Sequence, residues 1–180
     1  ATPAYVNAVR ERGFAVDYES VRADVWPRVQ LVYTCSPGNP TGRVMTLDEW
    51  ARLFDAADRH GFVIASDECY SELYFDAERP PLGALEAAHR LGRTDFRRLV
   101  VLSSLSKRSN VPGMRSGFAA GDAEILKRFL LYRTYHGGAM SPPVQVASAA
   151  AWRDEAHVVE NRRLYREKFA AALPLVSAPL

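Results

Sequence analysis

Six kinds of side chain in this sequence stand where they could act together on a small ligand. Lys107 lies in Ser-Leu-Ser-Lys (residues 104–107), with Ser103 and Ser104 just before it, Ser106 beside it and Arg115 eight residues beyond it. Asp67 closes an apolar run in the stretch SDECY, and Tyr70 follows three residues later. Asn39 sits at the centre of SPGNPTG, residues 36–42, where two prolines and two glycines make a defined turn rather than a loose one. A primary amine forms a Schiff base with an aldehyde, and a carboxylate can hold a ring nitrogen protonated. Hydroxyls beside a guanidinium suit a phosphate monoester. A carboxamide and a phenol can both donate to an anionic ring oxygen. Each residue alone has an ordinary explanation: Asp67 as a helix cap, Lys107 as a solvated loop lysine, Asn39 as a turn former.

The elements that carry these residues decide whether they meet. The runs Val29–Cys35, Phe62–Asp67 and Leu99–Ser103 are short, continuously apolar and partly β-branched, as strands of a parallel sheet are when both faces are covered. Between the first two, Thr46 and Glu49 have the spacing of a capping box. Leu47, Trp50, Leu53, Phe54 and Ala57 form one apolar stripe, and Gly61 ends it, so the stretch predicts a helix and hence a βαβ unit. A further strand is expected over Arg115–Ala120 and a helix over Asp122–Tyr135. The tail from Pro143 to Ala172 reads as helical with a break near Asp154. Residues 1–9 read as a frayed helix or a strand entered midway, and residues 174–180 as an uncapped apolar loop, so the chain is expected to be a section of a longer one. The fold class is α/β, a mostly parallel sheet in three layers with helices on both faces.

In an open parallel sheet, ligands collect beyond the carboxyl ends of the strands, where loops and helix N-termini converge. Three consecutive strand ends here carry SPGNPTG, SDECY and SSLSK, and that joint placement argues against the ordinary explanations. Pyridoxal 5'-phosphate has the aldehyde, the ring nitrogen, the phenolic oxygen and the phosphate that these residues would satisfy. Composition leaves room for such a site: 180 residues, 48% hydrophobic and 24% charged, can bury a core. The formal net charge is +2 with no long basic run, which disfavours nucleic acid, and no apolar run approaches a membrane span. A cytoplasmic address is the default expectation. Cys35 and Cys69 have no CxxC or nearby His spacing, so they read as buried thiols in a reducing compartment.

The motifs SPGNPTG, SDECY and SLSK, with Arg115 after the lysine, resemble those of the fold type I, class I/II pyridoxal-phosphate aminotransferases, over about residues 29–169. That resemblance implies that Lys107 carries the cofactor as a Schiff base, Asp67 pairs with the pyridine nitrogen, and Asn39 and Tyr70 hydrogen-bond the phenolic oxygen. It also implies that Ser104 and Arg115, with Ser106 a further candidate, bind the phosphate. The wording SSLSKRSNVPGMRSGFAAGDAE, with LYRTYHGGAMSPPVQ after it, is similar to bacterial succinyldiaminopimelate aminotransferases of lysine and diaminopimelate biosynthesis. Those enzymes move an amino group between glutamate and N-succinyl-2-amino-6-oxopimelate. The resemblance assigns residues 1–150 to part of the cofactor-binding large domain and residues 151–180 to a helix leading toward a small C-terminal domain. It implies amino-acid and keto-acid substrates and a homodimer with active sites at the interface. Two alternatives share the cofactor contacts: a carbon–sulfur lyase of the same fold, and an aminotransferase-like sensing domain of a transcription regulator.

Overall fold

The computed structural model describes residues 2–177. Near the N-terminus, β1 (Ala8–Val9) and β2 (Ala15–Val16) pair antiparallel across a turn in which Gly13 takes a φ of 62°. The main sheet has four strands in spatial order β3 (Leu31–Cys35), β4 (Val63–Asp67), β5 (Leu99–Ser104) and β6 (Gly117–Gly121). The first three are parallel, and β6 runs antiparallel to β5. The register sets Cys35 opposite Asp67, Asp67 opposite Leu102 and Ser104 opposite Gly117. Every expected strand is present, with ends shifted by one or two residues.

Helix α1 (Leu47–His60) forms as its sequence dictates. Glu49 N–H donates to Thr46 Oγ1 at 3.3 Å, and Thr46 N–H donates to Glu49 Oε2 at 2.7 Å, closing the capping box. Gly61 ends the helix at a φ of 83°, with its N–H on Ala57 O at 2.8 Å. Trp50, Leu53, Phe54 and Ala57 bury the stripe against Ile64, Leu99 and Val101 of the sheet. Helix α2 (Ala84–Arg90) adds Ala84, Ala87 and Ala88 to the same core, its small side chains letting it lie close. Tyr33 faces away from this core and is 75% exposed.

Beyond the sheet come α4 (Ala123–His136), α5 (Pro142–Arg153) and α6 (Ala156–Val176), once a single turn of helix, α3 (Leu105–Arg108), has carried the chain out of β5. Asp122 caps α4, accepting from the N–H of Glu124 at 2.9 Å and of Ile125 at 3.2 Å. The break expected near Asp154 separates α5 from α6. The expected loop over residues 174–180 needs correction: Pro174 to Val176 belong to α6, which runs only two residues past the proline that removes one of its backbone donors. Residues 178–180 of that expectation lie outside the described residues.

Candidate functional site

The turn SPGNPTG closes almost entirely through backbone bonds. Gly38 N–H donates to Arg43 O at 2.8 Å and Gly42 N–H to Gly38 O at 2.7 Å, with Gly42 at a φ of 68°. Ser36 Oγ, buried, accepts from Met45 N–H at 3.0 Å and anchors the far end. Asn39 is therefore not spent on its own turn: its Nδ2 donates to the Tyr70 hydroxyl at 3.3 Å. Lys107 Nζ lies over the Tyr70 ring, 5.6 Å from its centroid. Three side chains that the sequence places 31 and 37 residues apart thus meet at the ends of three neighbouring strands.

Asp67, exposed at the last position of β4, accepts the N–H of Cys69 on Oδ1 at 3.0 Å. Ser104, the last residue of β5 and the cap of α3, accepts from Ser106 N–H at 3.3 Å and donates to Cys69 Sγ at 3.3 Å. Cys69 is thus a link between the Asp67 and Ser104 strand ends. Both cysteines are free and half-buried rather than fully buried, because they flank the open strand ends, and burial still pushes both thiols up.

Ser106 is half-buried and contributes its backbone N–H to the Ser104 cap. Arg115 is exposed in a left-handed conformation with a φ of 53°, and its Nη1 donates to Pro112 O at 2.9 Å. The neighbouring backbone lies close to Ser104, because Leu105 N–H donates to Ser116 O at 3.1 Å. The fold therefore brings the Arg115 segment to the Ser104 end, while its guanidinium is engaged with its own turn.

Several residues at the rim gave no signal in the sequence. Glu68, one past Asp67, is buried at 8% exposure; its Oε1 accepts from Ser66 Oγ at 3.1 Å and from Ala84 N–H at 2.7 Å. Burial raises its carboxyl above the ordinary range. A Cβ at Gly83 would stand 2.8 Å from Glu68 Oε2, so the glycine makes room for the carboxylate that caps α2. His157 and Asn161, one helical turn apart on α6, reach the segment around Lys107. Their spacing was the only available clue, and it names no partner.

A family model described as aminotransferase class I and II matches residues 1–173. The chain belongs to that family. Among solved structures, an aminotransferase from Neisseria meningitidis superposes with a TM-score of 0.86 at 61% identity, over 90% of this chain and 41% of that one. A protein of Mycobacterium tuberculosis named as a probable aminotransferase is 36% identical over 99% of this chain and 42% of its own length. Another from the same organism, named as a probable N-succinyldiaminopimelate aminotransferase, is 34% identical over 90% of this chain and 40% of its length. The chain thus spans about two fifths of these relatives, and its mixed, mostly parallel sheet with helices is a partial large domain of the aminotransferase fold. Enzymes of this family depend on pyridoxal phosphate. The donor set fits that molecule in kind: an amine on α3 beside a phenol, a carboxamide bonded to that phenol, a carboxylate at the adjoining strand end, and a helix-capping hydroxyl next to an arginine segment.

Proposed function

We propose that the protein containing this chain is a pyridoxal-phosphate transaminase that exchanges an amino group between glutamate and N-succinyl-2-amino-6-oxopimelate. The observation that carries the reaction class is the meeting of Asn39, Tyr70 and Lys107 at three adjacent strand ends. The substrate assignment draws its support from the relative named for N-succinyldiaminopimelate and from the wording around Arg108–Gly113 and Tyr132–Pro143. A homodimer, with α6 leading toward a second and smaller domain, belongs to the same reading.

When bound, the cofactor supplies an aldehyde for the amino group and an electron-withdrawing ring. Lys107 Nζ would be the amine that holds the aldehyde carbon and, when free, would move a proton on and off the substrate's α carbon. Asp67 keeps a proton on the ring nitrogen by accepting its hydrogen bond. Tyr70, whose oxygen already accepts from Asn39, is left with its own O–H to donate to the phenolic oxygen. Ser104 and Arg115 bind the phosphate, with Ser106 contributing at the same helix start.

The test uses the full-length protein. Borohydride reduction and peptide mapping are expected to place the pyridoxyl group on Lys107, and an adduct on another lysine overturns the assignment. In unreduced protein, glutamate should give 2-oxoglutarate in a single half-reaction, and the succinylated acceptor should regenerate the starting absorption. Release of sulfide or ammonia from a sulfur amino acid without need of a keto acid would favour the lyase instead.

A further inference from the structure

Helix α3 is four residues long and cannot hold itself in place. A turn that short closes one helical hydrogen bond, here Ser109 N–H to Leu105 O at 3.0 Å, and leaves its last carbonyls without helical partners. The missing partners come from far along the chain. Asn161 Nδ2 lies 3.2 Å from Lys107 O and 3.2 Å from Arg108 O, so the two N–H groups of one carboxamide meet two consecutive orphan carbonyls. One turn earlier on α6, His157 Nε2 lies 2.8 Å from Ser109 Oγ, with its Nδ1 held by Asp154 Oδ2 at 2.9 Å. Arg108, only 6% exposed, donates from Nη1 to Ala151 O at 3.0 Å, pairs with Glu155, and stacks 5.0 Å over the Trp152 ring.

The same helix also holds the tyrosine side of the site. Arg162, next to Asn161, donates from Nε to Glu72 O at 3.2 Å and from Nη2 to Glu72 Oε2 at 2.6 Å, two residues beyond Tyr70. Its guanidinium lies 4.0 Å over the Tyr74 ring. Helix α6 is therefore bonded to both the Lys107 turn and the Tyr70 loop.

We infer that Asn161 is a positioning residue for Lys107, fixing the backbone from which the amine is presented and thereby its placement over Tyr70. The inference rests on Lys107 being the amine that takes the cofactor. A displacement of about 1 Å in a reacting group costs about a hundredfold in rate, so a pair of backbone hydrogen bonds can govern the chemistry without touching it.

Two substitutions separate donation from packing. Asn161→Asp keeps the shape but removes both donors and sets oxygens against the two carbonyls, whereas Asn161→Ala removes shape and donors together. If Asn161 acts by donation, Asp is as damaging as Ala or more so; if it only fills space, Ala is clearly worse. In the full-length protein, Asn161→Asp is expected to slow the glutamate half-reaction by about tenfold to a hundredfold while glutamate affinity changes by less than about threefold. With the cofactor removed, amide exchange should accelerate in residues 105–111 and stay unchanged in α1. Borohydride trapping on the unsubstituted protein is run alongside. An adduct away from Lys107 ends both the functional reading and this inference. An adduct on Lys107 with unchanged half-reaction and exchange in Asn161→Asp overturns this inference alone, as does a loss confined to Asn161→Ala. Should Asn161→Asp fail to fold, Asn161→Gln takes its place: it retains the donors, so it should keep more of the rate than Asn161→Ala, and no difference between them defeats the inference.

Discussion

At the scale of single residues, the question raised by SPGNPTG has a physical answer. The turn is closed by its own backbone and by Ser36, which releases the Asn39 carboxamide to Tyr70. Removing that carboxamide should therefore leave the turn intact and disturb the ligand. In the full-length protein, Asn39→Ala is expected to change the melting temperature little. It should also move the pH titration of the bound cofactor's visible band upward, because Asn39 holds the Tyr70 hydroxyl so that its O–H is free to donate to the phenolic oxygen, and such a donor favours the anionic form. A lowered melting temperature with an unmoved titration would show a turn former and nothing more. The placement of Asn39, Asp67, Tyr70, Ser104 and Lys107 at adjoining strand ends was legible in the sequence, because each sits in a short motif beside a strand end. Asn161 and Glu68 were not. Their meaning lies in contacts 54 and 16 residues away, and an Asn in a polar helix or a Glu after an Asp carries no mark of that.

At the scale of elements, legibility followed length and self-sufficiency. Helix α1 could be read to its caps because its stop signals, stripe and capping box are all local. Helices α2 and α3 could not, since seven and four residues are too few for a period and depend on outside groups: Glu68 for one, Ser104 and Asn161 for the other. The α2 cap carries a pH signature. Burial holds the Glu68 carboxyl above its ordinary range, so its contribution is fully present below the unfolded-state value and is lost as pH rises through the raised folded value. Glu68→Gln keeps an oxygen for Ser66 and Ala84 without a charge to desolvate. The variant should gain thermal stability relative to the unsubstituted protein on going from about pH 4, below the ordinary glutamate value of 4.5, to about pH 8, whereas Glu68→Ala, which strands the Ala84 N–H, should lose about 1–3 kcal/mol at both. A Gln-minus-Glu difference in melting temperature that stays constant across that interval would contradict the account.

At the scale of the whole molecule, the chain is well packed in one place and open in others. Its accessible surface is 12125 Å², whereas a compact monomer of 20.0 kDa exposes about 8700 Å². Large apolar side chains are among what is exposed: Tyr33 on the sheet is 75% exposed, Leu130, Leu131 and Tyr135 on α4 are 70%, 62% and 79%, and Leu175 and Val176 on α6 are 78% and 77%. Helix α4 has no buried residue at all and is held by its Asp122 cap and its connection to β6. Each such side chain left in water forgoes about 1.5–3 kcal/mol of burial, and a net charge of only +2 offers little repulsion against association. The core of α1, α2 and the sheet is buried within this chain, so the 180-residue chain expressed alone should keep its helical circular dichroism. The same chain should nevertheless bind a hydrophobic dye strongly and sediment as mixed oligomers at micromolar concentration, while the full-length protein does neither. Replacing Leu130, Leu131 and Tyr135 together by Lys, Glu and Lys should lower both dye binding and association of the 180-residue chain without lowering its helix content. A monodisperse chain with little dye binding before those changes would mean that these faces close on themselves, and that the surplus surface is not what the rest of the protein covers.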